Sequence, residues 1–369
     1  VTSGNIDAGT NTVTLDPKTG TIGLNITTQN FNLSQAEFDT IVAGAINIGA
    51  SDSGSISVGS IDFGSKTVTL TTGGSIDEEN DDTNTNITAT SVLTLVAGTG
   101  IGSDGTTNGA LDTDLSSIDA NVTGNGGLFI NNNGNLTLTA ITTNNGDVGI
   151  TAGNISVVTV TAGNSSTASL TSSGAITESA TNTSVDITAG SISLNAENGI
   201  GSSGSNASLD IDADNLAATT NADGADIFLF HPDSTPGDAD TKDSLTIGNI
   251  SGLLGVTTTN GDISIEVEHG DLSIANVTTS ANEISSGSGT ISLTAGSESQ
   301  PGVAGGLNVA PGATIVTNDG GSISLVANNM FLAESDTSNA NGIFEIDAGT
   351  NGTVNISASI SNTTVSSTD

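Results

Sequence analysis

Residues 98–115 read GTGIGSDGTTNGALDTDL, and residues 197–214 read ENGIGSSGSNASLDIDAD. Both stretches contain a Gly-Ile-Gly phrase followed by an alternating Leu-Asp phrase, and the two Gly-Ile-Gly phrases start 99 positions apart, at positions 100 and 199. Self-similarity at a fixed offset is typical of repeat architectures, in which each structural unit stacks on the next. The sequence therefore predicts a repeat protein.

The similarity extends beyond these two stretches. Upstream, Ser75-Ile76 aligns with Ala175-Ile176 at an offset of 100 residues. Because the offset hardly changes along the alignment, we expect small insertions and deletions to fall in loops while the strands stay in phase. We place the two copies at about residues 65–130 and 165–230 of a single continuous domain that spans residues 1–369.

Short alternating segments followed by Gly, Asn or Asp turns fill most of the chain, for example TVTLTTGG (67–74), LTLVAGTG (93–100) and SISLVANN (322–329). Alternation predicts strands that bury Ile, Val and Leu on one face and expose Thr, Ser and Asn on the other. Turns every 8 to 12 residues, within a much longer repeat, favour stacked rungs of about 20 residues each. The predicted fold is therefore all-β, a parallel β-helix or β-solenoid. We expect a helix only within residues 33–44 and irregular structure over residues 1–40.

Charge is strongly unbalanced, because 40 acidic residues face three lysines and the formal net charge is −37. Nucleic-acid phosphates and anionic membranes both require a basic surface, so the sequence predicts neither as a partner. No stretch is long and apolar enough for a transmembrane helix. The expected surface is acidic and solvated, typical of a secreted or cell-surface protein in a salty medium.

The sequence contains no cysteine. Disulfides, thiolate catalysis and cysteine-ligated metals are thereby excluded, and stability is expected to come from stacking. The chain begins VTSGNIDAG without a methionine or a signal peptide, so we expect a mature chain or part of a longer one. We predict an extracellular location.

Two segments interrupt the strand pattern. Residues 230–244 contain two prolines and four aspartates, and residues 296–313 carry prolines around a glycine-rich stretch. Proline cannot donate a hydrogen bond to a strand ladder. We therefore predict that both segments protrude as loops.

The order of phrases in residues 20–76, with NLSQAEF before NIG and TLTTGGSI, resembles filamentous-haemagglutinin-like large exoproteins. The segment LTLVAGTGIGSDG, followed by ALDTDLSSIDA, is similar to a further phrase of that family. The resemblance covers most of residues 20–270. It implies right-handed β-helices that are secreted or displayed on the surface as adhesins or fibres, and it implies no catalytic residues.

Several carboxylates have the spacing of potential calcium ligands, because Ca²⁺ prefers oxygen donors. Alternation gives a competing interpretation, in which the aspartates simply point outward from a strand with Leu209, Ile211 and Ala213 inside. The acidic run of residues 77–82 likewise fits either a cation-binding loop or a solvated turn. The calcium candidates are Asp210, Asp212, Asp214, Asp112, Asp114, Asp233, Asp238 and Asp240.

These observations favour a non-enzymatic structural or adhesive solenoid, the shaft of a surface adhesin or a subunit of an extracellular filament that polymerises head to tail. Its expected partners are copies of itself, flanking repeats of the same protein, or surface glycans and proteins, and no cofactor other than calcium is expected. One alternative is a calcium-binding matrix or surface-layer module. Another is a β-helix carbohydrate-active enzyme, which the absence of Arg, Trp and Tyr disfavours.

Overall fold

A computed structural model describes residues 5–27, 29, 31–80, 82–104, 109–204, 206–233, 244–275, 284–297, 305–317, 320–332, 346–358 and 363–365. The protein is all-β, with 56% of the described residues in strands and 2% in helix, and its strands form long parallel sheets stacked in regular rungs. The predicted parallel β-solenoid is confirmed. The chain folds into two compact units, Val1–Ser172 and Ser173–Asp369. A single continuous domain over the whole chain stays a prediction.

The first unit contains 21 strands and one helix among the residues described. In chain order they are β1 (Ile6–Asp7), β2 (Thr12–Leu15), β3 (Ile22–Leu24), β4 (Phe31–Leu33), α1 (Gln35–Asp39), β5 (Ile41–Val42), β6 (Ala45–Ala50), β7 (Ile56–Val58), β8 (Ile61–Gly64), β9 (Val68–Thr72), β10 (Ser75–Glu78), β11 (Ile87–Ala89), β12 (Leu93–Ala97), β13 (Gly100–Ile101), β14 (Leu111–Leu115), β15 (Ser117–Val122), β16 (Leu128–Asn132), β17 (Leu136–Thr143), β18 (Val148–Ala152), β19 (Ile155–Val157), β20 (Val160–Thr161) and β21 (Thr167–Ser172).

The second unit contains 22 strands among the residues described. They are β22 (Ala175–Glu178), β23 (Ile187–Thr188), β24 (Ser191–Ala196), β25 (Gly199–Ile200), β26 (Leu209–Asp212), β27 (Asn215–Asp223), β28 (Ile227–His231), β29 (Leu245–Ile247), β30 (Asn249–Ile250), β31 (Leu253–Leu254), β32 (Val256–Thr259), β33 (Ile263–Val267), β34 (Leu272–Ile274), β35 (Ile284–Ser286), β36 (Ile291–Ala295), β37 (Gly306–Val309), β38 (Ile315–Thr317), β39 (Ser322–Ala327), β40 (Asn329–Leu332), β41 (Ile346–Asp347), β42 (Thr353–Ala358) and β43 (Thr363–Val365).

Parallel ladders follow the stacking direction in each unit. In the described part of the second unit, one runs through β28, β33 and β36, another through β29, β34 and β37, and a third through β32, β35 and β38. In the first unit one ladder runs through β2, β6, β9, β12, β15 and β17. A second begins at β3 and runs through β7, β10, β13, β16 and β18 to β21, and a third joins β8, β11 and β14. Strands β2 and β3 already belong to these ladders, so the prediction of irregular structure over the N-terminal segment is wrong. The pairing of β30 with β31 in the second unit is antiparallel and forms a hairpin.

The core consists of aliphatic side chains stacked in register from rung to rung. One such row is Ile46, Val68, Leu93, Ile118 and Leu138, whose side chains are at most 1% exposed. Between these rows the outward positions carry polar side chains, as at Asn47, which pairs with Thr69. The alternation in the sequence therefore predicts which face is buried.

Rung length varies along the chain, as the hydrogen bonds between neighbouring rungs show. In the first unit, Asn135 and Asn154 bond across one rung and are 19 positions apart. In the second unit, the bond between Asp226 and Asp262 spans 36 positions, and the bond between Asp262 and Thr290 spans 28. The predicted length of about 20 residues per rung is therefore close for part of the first unit and too short for the second, where longer loops separate the strands.

The helix forms where the sequence predicts it. Ser34 caps α1 by accepting a hydrogen bond from the backbone of Glu37, whose side chain accepts one from the Ser34 backbone in return. Phe38 is fully buried on this helix, with its ring centre 5.1 Å from that of Phe63. In the described part of the chain, no helix has the length and hydropathy needed to cross a membrane.

The two predicted loops agree with the structure only in part. Phe230 and His231 are the last residues of β28, and residues 234–243 lie outside those described. Within residues 296–313 the structure places β37, which pairs with β34 and β40. The prediction that this whole segment protrudes is therefore wrong, because the alternating run Leu307-Asn308-Val309 completes a strand before Pro311.

Close stacking leaves no room for a side chain at one corner of the first unit. A Cβ added at Gly98 would lie 2.1 Å from the carbonyl oxygen of Gly73, and one at Gly124 would lie 2.2 Å from that of Gly98. Neither distance is compatible with van der Waals contact, so glycine is required for adjacent rungs to hydrogen-bond.

We predict that Gly98→Ala lowers the free energy of unfolding by about 3 kcal/mol, because overpacking forces the rungs apart. Gly20→Ala is the matched control, since a Cβ there meets only the Pro17 carbonyl oxygen at 3.8 Å. Urea denaturation followed by circular dichroism measures both. Equal effects of the two substitutions would contradict the role of close stacking at this corner.

Candidate metal centre

In the first copy of the repeat, two successive rungs carry a loop inserted into the middle of a strand. The first loop separates β10 from β11, and the second separates β13 from β14. In the next rung β16 is continuous and pairs with both β13 and β14. The register of β16 is thus the same with the strands on either side of the second loop.

Three carboxylates meet at the base of these loops. Glu78 ends β10, Asp82 lies in the first loop, and Asp112 is the second residue of β14. One oxygen from each of the three lies within 4.8 Å of the other two. Glu78 is 6% exposed and Asp112 is 3% exposed, while Asp82 is half-buried.

Hydrogen bonds fix the position of Asp112 but satisfy only part of its carboxylate. The side-chain amide of Asn131 donates to Asp112 Oδ1 at 2.7 Å. The Asp112 backbone N–H donates to Asn86 Oδ1 at 3.1 Å, and its carbonyl accepts from the Asn86 N–H at 2.8 Å. Among the described residues, Asp112 Oδ2 has no hydrogen-bond partner and is shielded from solvent.

The electrostatic setting of Asp112 disfavours its charged form. Burial raises the pKa of Asp112, the hydrogen bond from Asn131 lowers it, and the nearby charge of Asp82 raises it again. The two lysines that the structure describes have other contacts. Lys18 pairs with Asp16 at 3.3 Å, and Lys66 donates to the carbonyl of Phe38 at 3.3 Å.

The second copy has the same backbone arrangement with different side chains. Asp186 stands at the position of Asn86, and Asp210 at that of Asp112. The Asp210 N–H donates to Asp186 Oδ2 at 2.9 Å, and the Asp186 N–H donates to the Asp210 carbonyl at 2.8 Å. Both side chains are at most 2% exposed.

This pair of acids binds protons near neutral pH. Burial is the main cause that raises the pKa of Asp186 to about 7; the Asp210 N–H opposes it, and the charges of Asp210 and Glu178 add to it. Burial is also the main cause that raises the pKa of Asp210 to about 6, and the negative charge of Glu178 raises it further. Burial raises the pKa of Glu178 as well, opposed by a backbone hydrogen bond from Asn182.

The structure brings together few of the aspartates that the sequence suggested as calcium ligands. Asp114 and Asp214 are exposed and Asp212 is half-buried. The outward orientation predicted for Asp112 and Asp210 does not leave them solvated, since both are buried. Asp112 is hydrogen-bonded to Asn86, just before β11, and to Asn131 on β16.

The remaining three candidates belong to residues 230–244, the first of the two segments that the sequence predicts to protrude. The side chain of Asp233 is 7% exposed, with Oδ2 3.7 Å from His269 Nδ1. Asp238 and Asp240 lie outside the described residues. Calcium binding by any of the eight candidates stays a prediction.

Sequence reasoning did not single out Glu78 and Asp82 as ligands. Both belong to the acidic run of residues 77–82, which fits a solvated turn equally well. The signal that distinguishes Glu78 is its alignment with Glu178, 100 positions later, because an acid retained at the end of the same strand in both copies indicates a structural requirement.

Comparison with known proteins identifies no relative: no family model, no curated protein and no solved structure matches this chain. The similarity to filamentous-haemagglutinin-like exoproteins therefore stays a prediction.

We predict that Asp186→Asn stabilises the protein at alkaline pH. A folded-state pKa of about 7, against an ordinary value of 3.8, means that the folded state binds more protons between these values, so stability falls as pH rises through this range. Asparagine removes this loss and keeps the acceptor for the Asp210 N–H, as Asn86 does in the first copy. The variant should be more stable by about 2 kcal/mol at about pH 8 and nearly unchanged at about pH 4.

Urea denaturation at the two pH values measures this difference, and Asp214→Asn, an exposed neighbour, is the control. An equal effect of Asp186→Asn at both pH values would mean that the side chain does not titrate as described.

Proposed function

We propose that this chain is a non-enzymatic extracellular scaffold, the shaft of a surface adhesin or a subunit of an extracellular filament. The observation that carries the proposal is the uninterrupted row of buried aliphatic side chains through successive rungs of each unit. In each unit the rungs stack through backbone hydrogen bonds and display polar side chains outward. Such a unit supports a load and presents loops.

The distribution of reactive groups supports a non-enzymatic role. Two open depressions among the described residues have volumes of about 620 Å³ and 670 Å³. Threonine and asparagine dominate the lining of the larger one, and the smaller one is lined partly by Asp39, Asp62 and Lys66. None of the carboxylates with a raised pKa lies in either lining, whereas a general acid must reach its substrate.

An exposed edge supports self-association or contact with flanking repeats. In the described part of the second unit, β42 pairs with β39 on one side only. Its apolar residues Val354 and Ile356 are 42% and 48% exposed. An unpaired, apolar strand edge favours pairing with another strand of the same kind.

A calcium-binding matrix or surface-layer module is the second candidate function. The observation that favours it is the meeting of Glu78, Asp82 and Asp112 within 4.8 Å. A calcium-dependent module and a plain scaffold differ in a simple measurement, because only the first loses thermal stability in a chelator.

The proposed location is tested on intact cells of the source organism. We expect gold-labelled antibodies against this chain to bind unpermeabilised cells, and protease added outside to remove the label. Labelling that requires permeabilisation would overturn the extracellular assignment. A polysaccharide panel tests the remaining alternative, since reproducible turnover would contradict the non-enzymatic role.

We predict that Ile356→Lys reduces self-association, because a buried lysine at a strand-pairing edge is costly. Analytical ultracentrifugation over a range of concentrations measures the effect. Asn355→Lys, which adds the same charge to an exposed polar position of β42, is the matched control and should associate like the wild type. If Ile356→Lys associates as strongly as the wild type, this edge does not mediate the contact.

A further inference from the structure

We propose that Glu78, Asp82 and Asp112 bind one calcium ion at the base of the first inserted loop. The proposal concerns these residues alone and does not depend on the extracellular scaffold role.

The spacing of the three carboxylates fits a shared calcium ion. Calcium binds oxygen ligands at about 2.4 Å, so two ligands of one ion are at most about 4.8 Å apart. One oxygen of each of the three carboxylates satisfies this limit with respect to the other two. Waters would complete a coordination number of about 6 to 8.

A second observation, independent of the clustering, comes from the hydrogen bonding of Asp112. Its side chain is 3% exposed, and Oδ2 has no hydrogen-bond partner among the described residues although Asn131 satisfies Oδ1. A buried carboxylate oxygen without a donor is costly. A cation bound beside it supplies the missing interaction and explains why an acid is tolerated there.

At the equivalent position of the second copy, the acidic side chains are arranged differently. Asn182 takes the place of Asp82, and its backbone N–H lies 3.4 Å from Glu178 Oε2. The third acid is instead Asp186, whose carboxylate accepts from the Asp210 backbone. Each copy thus has three acids, but only the first places a loop aspartate against the two acids at the strand ends.

A calcium ion here would fasten two rungs together. Glu78 and Asp112 belong to neighbouring levels of the first unit, since β10 pairs with β13 and β11 pairs with β14. Asp82 joins the inserted loop to both. The expected consequence of binding is therefore a more stable first unit with an ordered loop base.

Calcium titration of the chelator-treated protein by isothermal titration calorimetry tests the proposal. Because the chain is highly acidic, the titration is done in about 0.15 M NaCl to screen diffuse binding. We expect one saturable site, and at free calcium one hundred times the Kd a rise in Tm of roughly 5 °C. Mg²⁺ should bind at least about tenfold more weakly, since it demands smaller octahedral geometry.

Asp82→Asn is the principal variant, because the second copy has asparagine at this position and the substitution should leave the fold intact. We expect it to weaken calcium binding at least about tenfold, which is about 1.4 kcal/mol. Asp112→Asn should abolish the site, and Asp210→Asn, the equivalent change in the second copy, should leave binding unchanged.

Three results would overturn the proposal. They are the absence of a saturable site in the wild type, unchanged affinity in Asp82→Asn, and loss of binding in Asp210→Asn equal to that in Asp112→Asn. Equal affinity for Mg²⁺ would overturn the assignment to calcium. If Asp112→Asn fails to fold, Asp82→Asn still decides the question.

Discussion

Backbone hydrogen bonds between successive rungs set the geometry of this protein. Parallel strands in a ladder lie about 4.8 Å apart, so each rung must return to the same place above the one before it. Aliphatic residues that stack in register meet this condition inside, and glycines at Gly98 and Gly124 meet it at a corner where a Cβ would touch the rung below. Additional residues are accommodated in loops between the strands. The candidate site lies at two such loops, since Glu78 precedes the first and Asp112 follows the second.

The two copies of the repeat differ in the side chain that hydrogen-bonds to their buried aspartate. In both, a side-chain oxygen on one rung accepts the backbone N–H of an aspartate on the next. The first copy uses the amide of Asn86 for this bond, and the second uses the carboxylate of Asp186, which adds a buried charge beside Asp210. The acid at Asp186 thus adds a group whose pKa burial raises to about 7, while the backbone hydrogen bonds match those of the first copy.

Alternation in the sequence was enough to predict the fold and the inward rows, because the side-chain direction in a strand depends only on position. Residues such as Ile46 and Val68 are buried as this rule predicts. This rule does not predict the burial of Asp112, because that side chain contacts residues of neighbouring rungs, such as Asn131 on β16. The pattern also failed to predict β37, because glycines and prolines lie on either side of its short alternating run.

The site itself could be predicted only in part, because the distance from Asp112 to Glu78 depends on the length of the intervening rung, which no local pattern encodes. The alignment of the two copies did contain the relevant information, since it places Glu178 opposite Glu78 and Asn182 opposite Asp82.

Rung length also has a mechanical consequence. In a stack where each rung contacts only its neighbours, tension applied to one end of the chain detaches the outermost rung before the next. Leu93 lies one rung beyond Val68 in the same ladder. Detaching a rung of about 25 residues releases about 85 Å of extended chain. The longer rungs of the second unit release more chain at each step. Pulled from one end, each unit would therefore lengthen by one rung at a time, and it would dissipate force while most of its rungs stay folded.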